Sequence, residues 1–349
     1  MPDPSHAPRR RPTIKDVALA AGVSFKTVSR VTNGETVGAS LKAKVDEAIS
    51  TLGYRPNLAA RRMGGGRSHL ISFIVFAMTD ATRDNDGFVM ALEAGMIARC
   101  QALGYSLAIE MVDAGSNAAS EMVGVLRGLE TDAIILAPPL CDDPSVLAAV
   151  QQSGKPLVRY GPAADFGRTP YVTIDDEGAA FELTRYILSR GHTRIGFVEG
   201  PEAGSAKGRR RGYLRALQEA GVAAEETLIA PGSYTVRSGE RAGASLLALA
   251  KPPTAIFAAN DMMAFGVRRA AEARGLKVPE DLSIAGFDNI DAIVGAWPDL
   301  TTIRQPVGDV GAACIDAAVA RLDGKPDIGI VLPCELVPGA TVVKPRLHR

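Results

Sequence analysis

From about residue 69 onward the chain repeats one pattern: a short apolar run, then a longer stretch of helical periodicity. The runs include Leu70–Phe76, Tyr105–Val112, Ala133–Leu136, Pro156–Tyr160, Arg194–Val198, Ala255–Ala258 and Leu282–Phe287. Amphipathic helices are expected over Gly178–Ser189, Arg209–Ala220, Ser238–Leu249, Met262–Arg274 and Val307–Arg321. Short runs without polar alternation suit strands covered on both faces. Strands that alternate with helices build βαβ units and parallel sheets. This region, about 280 residues, exceeds what one sheet usually organises, so two lobes are expected.

The first 67 residues differ. Charge is balanced over the whole chain, 39 basic against 39 acidic residues, so bulk charge points to no partner. Its distribution does: Met1 to Arg67 holds twelve Lys/Arg against five Asp/Glu. A basic head on an acidic body fits a module that binds a polyanion. The four cysteines, Cys100, Cys141, Cys314 and Cys334, form no CxxC pair and read as reduced structural thiols. No apolar run reaches membrane-span length and no signal-peptide pattern opens the chain, so a cytoplasmic protein without a membrane partner is expected.

Within the head, residues 1–12 read as a disordered basic tail. Thr13 followed by Asp16 resembles a capping box. Ile14, Val17, Ala18 and Ala21 then fall on one helical face, and Gly22 supplies a tight turn. Ser24 can cap a second helix whose Val28 and Val31 point inward, and a third runs from about Leu41 to Leu52. This is a three-helix helix-turn-helix domain over 13–54. The start of its second helix presents Phe25, Lys26, Ser29 and Arg30. Lys and Arg can donate to guanine edges, an aromatic can pack on a thymine methyl, and Thr27 and Ser29 suit phosphates. A small protein-binding helical domain with a solvated basic face is the blander alternative. Residues 55–68 read as a hinge helix and linker, started by Pro56 and Asn57 and ended by Gly64–Gly66.

The run TIKDVALAAGVSFKTVSRVTNG, followed by LGYRPNLAARRM, closely resembles the LacI/GalR family of bacterial transcriptional regulators. The resemblance continues to about Arg304. It implies a hinge helix that folds on DNA, and a two-lobed, periplasmic-binding-protein-like core over 69–349. The N-lobe is expected at about 69–171 and 303–331, and the C-lobe at about 172–302 and 332–349. The DNA contacts it implies are Thr13, Ser24, Phe25, Lys26, Thr27, Ser29, Arg30, Asn33, Tyr54, Asn57, Ala60 and Met63. Met63 stands where the family has a Leu that wedges into the minor groove.

In the core, polar residues stand where apolar runs stop: Asp175 and Asp176, Asn260 and Asp261, Asp288 and Asn289. Arg209 is expected to open the helix after Arg194–Gly200, and Asp176 and Asp261 to cap the helices they precede. Carboxylates with an arginine at strand ends suit a hydroxyl-rich ligand. The resemblance implies effector contacts from Arg209, Tyr234, Asn260 and Asp288. It departs at two segments of the N-lobe. The family's NPFF is replaced around Asp86 and Phe88, both candidate effector contacts, and its Asp-Arg by Gly161 and Pro162.

These readings predict a non-enzymatic, DNA-binding homodimer: a repressor of a carbohydrate operon, released from a palindromic operator by a sugar-like inducer. A corepressor-dependent repressor or an activator sensing a non-sugar metabolite is the alternative, and a solute-binding protein or α/β enzyme a remoter one. No dinucleotide fingerprint, phosphate loop or metal-spaced His pair favours an enzyme, and no cofactor or metal is expected.

Overall fold

The computed structural model describes residues 12–32, 36–54, 67–76, 86–113, 117–201, 204–290 and 299–346, with Ile293, Gly295 and Trp297. The expected basic tail, Asn33, and the hinge helix with Asn57, Ala60 and Met63 lie outside the described residues. Contacts divide the chain into two units, Met1–His69 and Leu70–Arg349.

The first unit holds α1 (Ile14–Ala21), α2 (Phe25–Thr32) and α3 (Ala39–Leu52). Asp16 accepts hydrogen bonds from the Thr13 backbone N–H and hydroxyl, both at 2.7 Å, which starts α1. Gly22 ends it at φ +64°, a left-handed conformation that a side chain would strain. The Ser24 hydroxyl accepts the Thr27 N–H at 3.1 Å and caps α2. Val17, Val28 and Val45, one from each helix, form the buried centre with Ala18, Ala21, Ala48 and Tyr54.

The second unit carries the strands β1 (Leu70–Phe76), β2 (Ser106–Val112), β3 (Ala133–Leu136), β4 (Leu157–Tyr160), β5 (Tyr171–Ile174) and β11 (Gly329–Leu332) in one sheet. Its order is β11-β5-β4-β3-β1-β2 and every pairing is parallel. A second parallel sheet is ordered β7-β6-β8-β9, from β6 (Ile195–Glu199), β7 (Ile229–Pro231), β8 (Ala255–Ala258) and β9 (Ser283–Ala285). β10 (Thr302–Arg304) pairs antiparallel with β12 (Glu335–Val337), and bridges at Thr301 and Arg304 dock β10 beside β9. The all-apolar runs are the central strands, as two-sided burial requires: every residue of β3 and β8 is buried.

Helices flank both sheets: α4 (Asp86–Ala102), α5 (Ala118–Gly128), α6 (Pro144–Gln152) and α11 (Val307–Leu322) on the first, and α7 (Asp176–Ser189), α8 (Gly204–Glu219), α9 (Val236–Leu247) and α10 (Asp261–Glu272) on the second. The chain therefore passes between lobes three times, after β5, after β10 and after β11. Cys100, Cys141 and Cys314 are buried free thiols, and Cys334 is half-buried and free.

α8 lies close on α7 because Gly208 and Gly212 face it. A Cβ on Gly212 would stand 2.2 Å from the Glu177 carbonyl oxygen and 2.7 Å from the Phe181 nitrogen. Backbone cannot yield cheaply, so Gly212→Ala is expected to destabilise the fold by about 1–3 kcal/mol. The higher helix propensity of alanine, worth about 1 kcal/mol, offsets only part of the clash. Urea unfolding midpoints of the variant and the parent measure this.

Candidate functional site

In the head, Phe25, Lys26 and Arg30 are exposed along α2, while Thr13, Thr27 and Ser29 are half-buried and Ser24 is exposed. One Arg30 Nη donates to the Thr36 carbonyl at 2.8 Å, which steadies the guanidinium on the outer face of the helix. Tyr54 is different from the other candidates here: its ring belongs to the core of the head.

In the core, a cavity of about 380 Å³ opens where strands of both sheets end. Pro138 follows β3, Gly161 and Pro162 follow β4, Asp175 and Asp176 follow β5, Tyr234 follows β7, Asp288 follows β9 and Gln305 follows β10, and all of these line it. Carboxyl ends of parallel strands are where α/β sheets bind ligands, because loops diverge there.

Arg209 is the centre of the polar wall and is buried. Its Nε donates to Asp176 at 2.9 Å, and one Nη donates to the Ala259 carbonyl at 2.5 Å and to Asp288 at 3.3 Å. Its guanidinium stacks 3.7 Å from the centre of the Phe287 ring. Burial opposes its charge, but Asp176 and Asp288 outweigh that and hold the proton more firmly than usual. Burial pushes the Asp288 carboxyl up to about 6 against the pull of Arg209, and it raises Asp176 as well. Gln305 donates to the same Asp288 oxygen at 2.5 Å. The other oxygens of Asp176 and Asp288, and the second Nη of Arg209, have no hydrogen-bond partner among the described residues. Acceptors and a double donor thus stand side by side without protein partners.

Two cavity residues have strained backbones. Tyr234 lies at φ +61° and Asp288 at φ +113°, conformations that cost about 1–3 kcal/mol each for a residue with a side chain. Surrounding bonds enforce them. The Asp288 N–H donates to the Ile303 carbonyl at 2.8 Å, and Asn260 Nδ2 donates to the Tyr234 carbonyl at 3.2 Å.

Of the effector candidates, the structure brings Arg209, Tyr234, Asp288 and Phe88 together around the cavity. The side chain of Asp86 lies outside what is described. Asn260 does not line the cavity: its Oδ1 accepts the Met263 N–H at 2.9 Å and caps α10 while its amide props Tyr234. Two expected caps are corrected by this. Asn260, not Asp261, caps α10, and Asp175 caps α7 by accepting the Gly178 N–H at 2.8 Å. Asp176 instead pairs with Arg209. Asp261 is buried and bonded to the Thr302 hydroxyl at 2.6 Å, and burial with the nearby Asp288 charge pushes its carboxyl up to about 8. Arg209 does not open its helix either; it lies in the second turn of α8, which starts at Gly204. Asp176 as a member of the polar wall, Gln305 and Tyr160 are cavity residues that sequence reasoning missed. The signal for Asp176 was its place at the end of the run closing at Ile174; Gln305 carried no such local signal.

Residues 13–57 match the family described as bacterial regulatory proteins, lacI family, and residues 184–342 match a periplasmic binding protein-like domain. The HTH-type transcriptional regulator DegA of Bacillus subtilis (strain 168) is 34% identical over 331 residues, 93% of this chain and 96% of DegA. A solved structure of the Lac repressor dimer bound to operator and the anti-inducer ONPF is similar with a TM-score of 0.76 and 28% identity, covering 96% of this chain and 100% of that one. The transcriptional regulator CelR in complex with cellobiose is similar with a TM-score of 0.73 and 28% identity, covering 95% and 100%. Among the described residues no helix is long and apolar enough to cross a membrane. With a head and a core that match in order along one polypeptide, and likeness to a named regulator over nearly its full length, this chain belongs to the lacI family of bacterial regulatory proteins.

Proposed function

We propose that the chain is a non-enzymatic, cytoplasmic transcriptional repressor that grips a palindromic operator as a homodimer and lets go when a small hydroxyl-rich ligand fills the cavity. Phe25, Lys26 and Arg30 read bases, Thr13, Ser24, Thr27 and Ser29 meet the backbone, and Tyr54 supports the head from its core. Asn33, Asn57, Ala60 and Met63 complete the DNA contacts. Residues 13–54 act as the head, 55–68 as the hinge and the remainder as the sensing core. The observation that carries the ligand reading is the unpartnered polar edge of Arg209, Asp176 and Asp288, since a vicinal diol offers donors and acceptors at matching spacing. Dimerisation is supported by β2, an edge strand that exposes Ile109 and Met111, with Met90 and Ile97 exposed on the adjacent α4.

The test is fluorescence anisotropy on a palindromic operator found by selection from random duplexes, with mono- and disaccharides added. The expected result is tight, salt-sensitive binding that at least one sugar releases. A selection that enriches no palindrome, or an operator that no hydroxylated ligand releases, removes the reading. The assay also has an expected pH profile. Asp288 is ionised above about 6 and accepts from the ligand there. As pH falls through about 6 it takes a proton, so the ligand concentration for half-release should rise by up to tenfold per pH unit.

A further inference from the structure

β4 and β5 are parallel neighbours, yet only the ten residues 161–170 join them, with no helix between. A crossover between parallel strands usually takes a dozen or more residues and a helix, which pairs its own backbone. Here the return runs as a strap along the sheet. It leaves the carboxyl end of β4, where Gly161, Pro162 and Ala163 line the cavity. It reaches the opposite end at Arg168, Thr169 and Pro170, beside Lys155 and Pro156, which precede β4. Without a helix, the strap has to find partners for its backbone elsewhere.

One side chain supplies two of them. Arg159 lies in β4 and is 0% exposed. Its Nε donates to the Thr169 hydroxyl at 3.0 Å, one Nη donates to the Ala164 carbonyl at 2.9 Å, and the other donates to the Asp165 carbonyl. Asp142, two residues before α6 and 3.5 Å from the same guanidinium, accepts the Ala163 N–H at 2.8 Å. Asp165 lies at φ +52°, which most side chains avoid, and the Arg168 N–H closes a turn onto its carbonyl at 2.9 Å. Burying a guanidinium is costly, and these bonds offset the cost only while the strap keeps this shape. The strap has no slack on the C-lobe side: a Cβ on Gly204, the first residue of α8, would stand 2.9 Å from the Ala163 Cα.

We propose that Arg159 is a positioning residue for effector recognition. Its own atoms stay under the strap and do not line the cavity; it fixes the strap whose Gly161, Pro162, Ala163 and Phe166 do. This role rests on the cavity being the effector site. A rim already in its final shape costs an arriving ligand no ordering. A rim that holds that shape only part of the time weakens the apparent affinity by the same fraction. The loss then falls on association. Dissociation changes little, because the ligand's contacts in the filled cavity are those of the parent.

The test compares Arg159→Met and Asp142→Ala with the parent, all as full-length protein. Methionine keeps much of the bulk and removes every donor. Asp142→Ala frees the Ala163 N–H from a side chain that is 25% exposed, a site that tolerates truncation. Without ligand, amide exchange over residues 161–169 should quicken by about tenfold in both variants, while β3 and β8 stay as protected as in the parent. The ligand probe is the mono- or disaccharide that releases the operator from the parent at the lowest concentration. Its Kd should rise about tenfold in Arg159→Met through slower association, with dissociation and ligand-free operator affinity within about threefold of the parent. Quicker exchange with unchanged ligand affinity, or a loss carried by dissociation, overturns the positioning role and leaves the repressor standing. If Arg159→Met does not fold, Asp142→Ala decides by the same readouts. A parent that no sugar releases removes the effector reading itself, and this role with it.

Discussion

Asp288→Asn should give a repressor that is more stable than its parent at pH 7 and barely responds to ligand. The carboxyl in the folded chain is pushed up to about 6, above its unfolded value. The folded state thus holds this proton more tightly. Its contribution to stability is full below the unfolded value near 4 and is lost as pH rises through about 6. Asparagine imitates the protonated form at every pH, and its Oδ1 can still accept from Arg209 and Gln305. The gain at neutral pH is up to about 3 kcal/mol, read by denaturant unfolding. The cost falls on the ligand. The oxygen that no protein group uses becomes an amide donor, and losing a charged acceptor weakens binding by about 10- to 150-fold. A thermal melt and an operator-release titration on one preparation check both halves. A variant that is released at the parent's ligand concentration removes Asp288 from the pocket.

Arg30→Ala should erase operator discrimination while ligand-induced thermal shifts stay as in the parent. Arg30 is exposed at the outer face of α2 and bonded to Thr36, so its removal disturbs no core residue. A bidentate arginine–guanine contact discriminates by about 1–3 kcal/mol. A dimer forfeits it at both half-sites, so specific affinity falls towards the non-specific level. The salt dependence should change little, because a base contact contributes little to counterion release. Footprints identical to those of the parent would place the base contact elsewhere.

Much of the fold was legible because its signals are local. Thr13 with Asp16, Gly22 and Ser24 each set one end of a head helix through a bond or a φ angle that depends on neighbours a few residues away. Runs such as Ala133–Leu136 and Ala255–Ala258 became strands buried on both faces because an all-apolar run can be covered on both, whereas Tyr105–Val112 became the edge strand β2. The site was legible only in part. Arg209, Asp288 and Tyr234 stood out, but Arg159 hides inside a run that reads as a strand, and its partners at 164 and 165 become visible only when the loop folds back. The Asn260–Asp261 pair shows a different limit. Either residue can cap a helix, and what decides is Thr302, 41 positions along the chain, which claims the Asp261 carboxylate. Gln305 likewise gains its role from β10 docking beside β9, a pairing with no local signature.

The three passages between the lobes have a further consequence. Asp175 and Asp176 stand on the first and Gln305 on the second, and these same residues line the cavity. On the function proposed above, the joints between the lobes and the contacts to the ligand share these residues. On that reading a signal from ligand to lobe angle would need no relay through packed side chains, because a pull on Asp176 or Gln305 would act on the joint itself. Random substitutions that alter the switch without altering affinity should thus be scarce at the joints. They should be found away from the cavity, where one lobe position can be favoured over another without touching what the ligand holds.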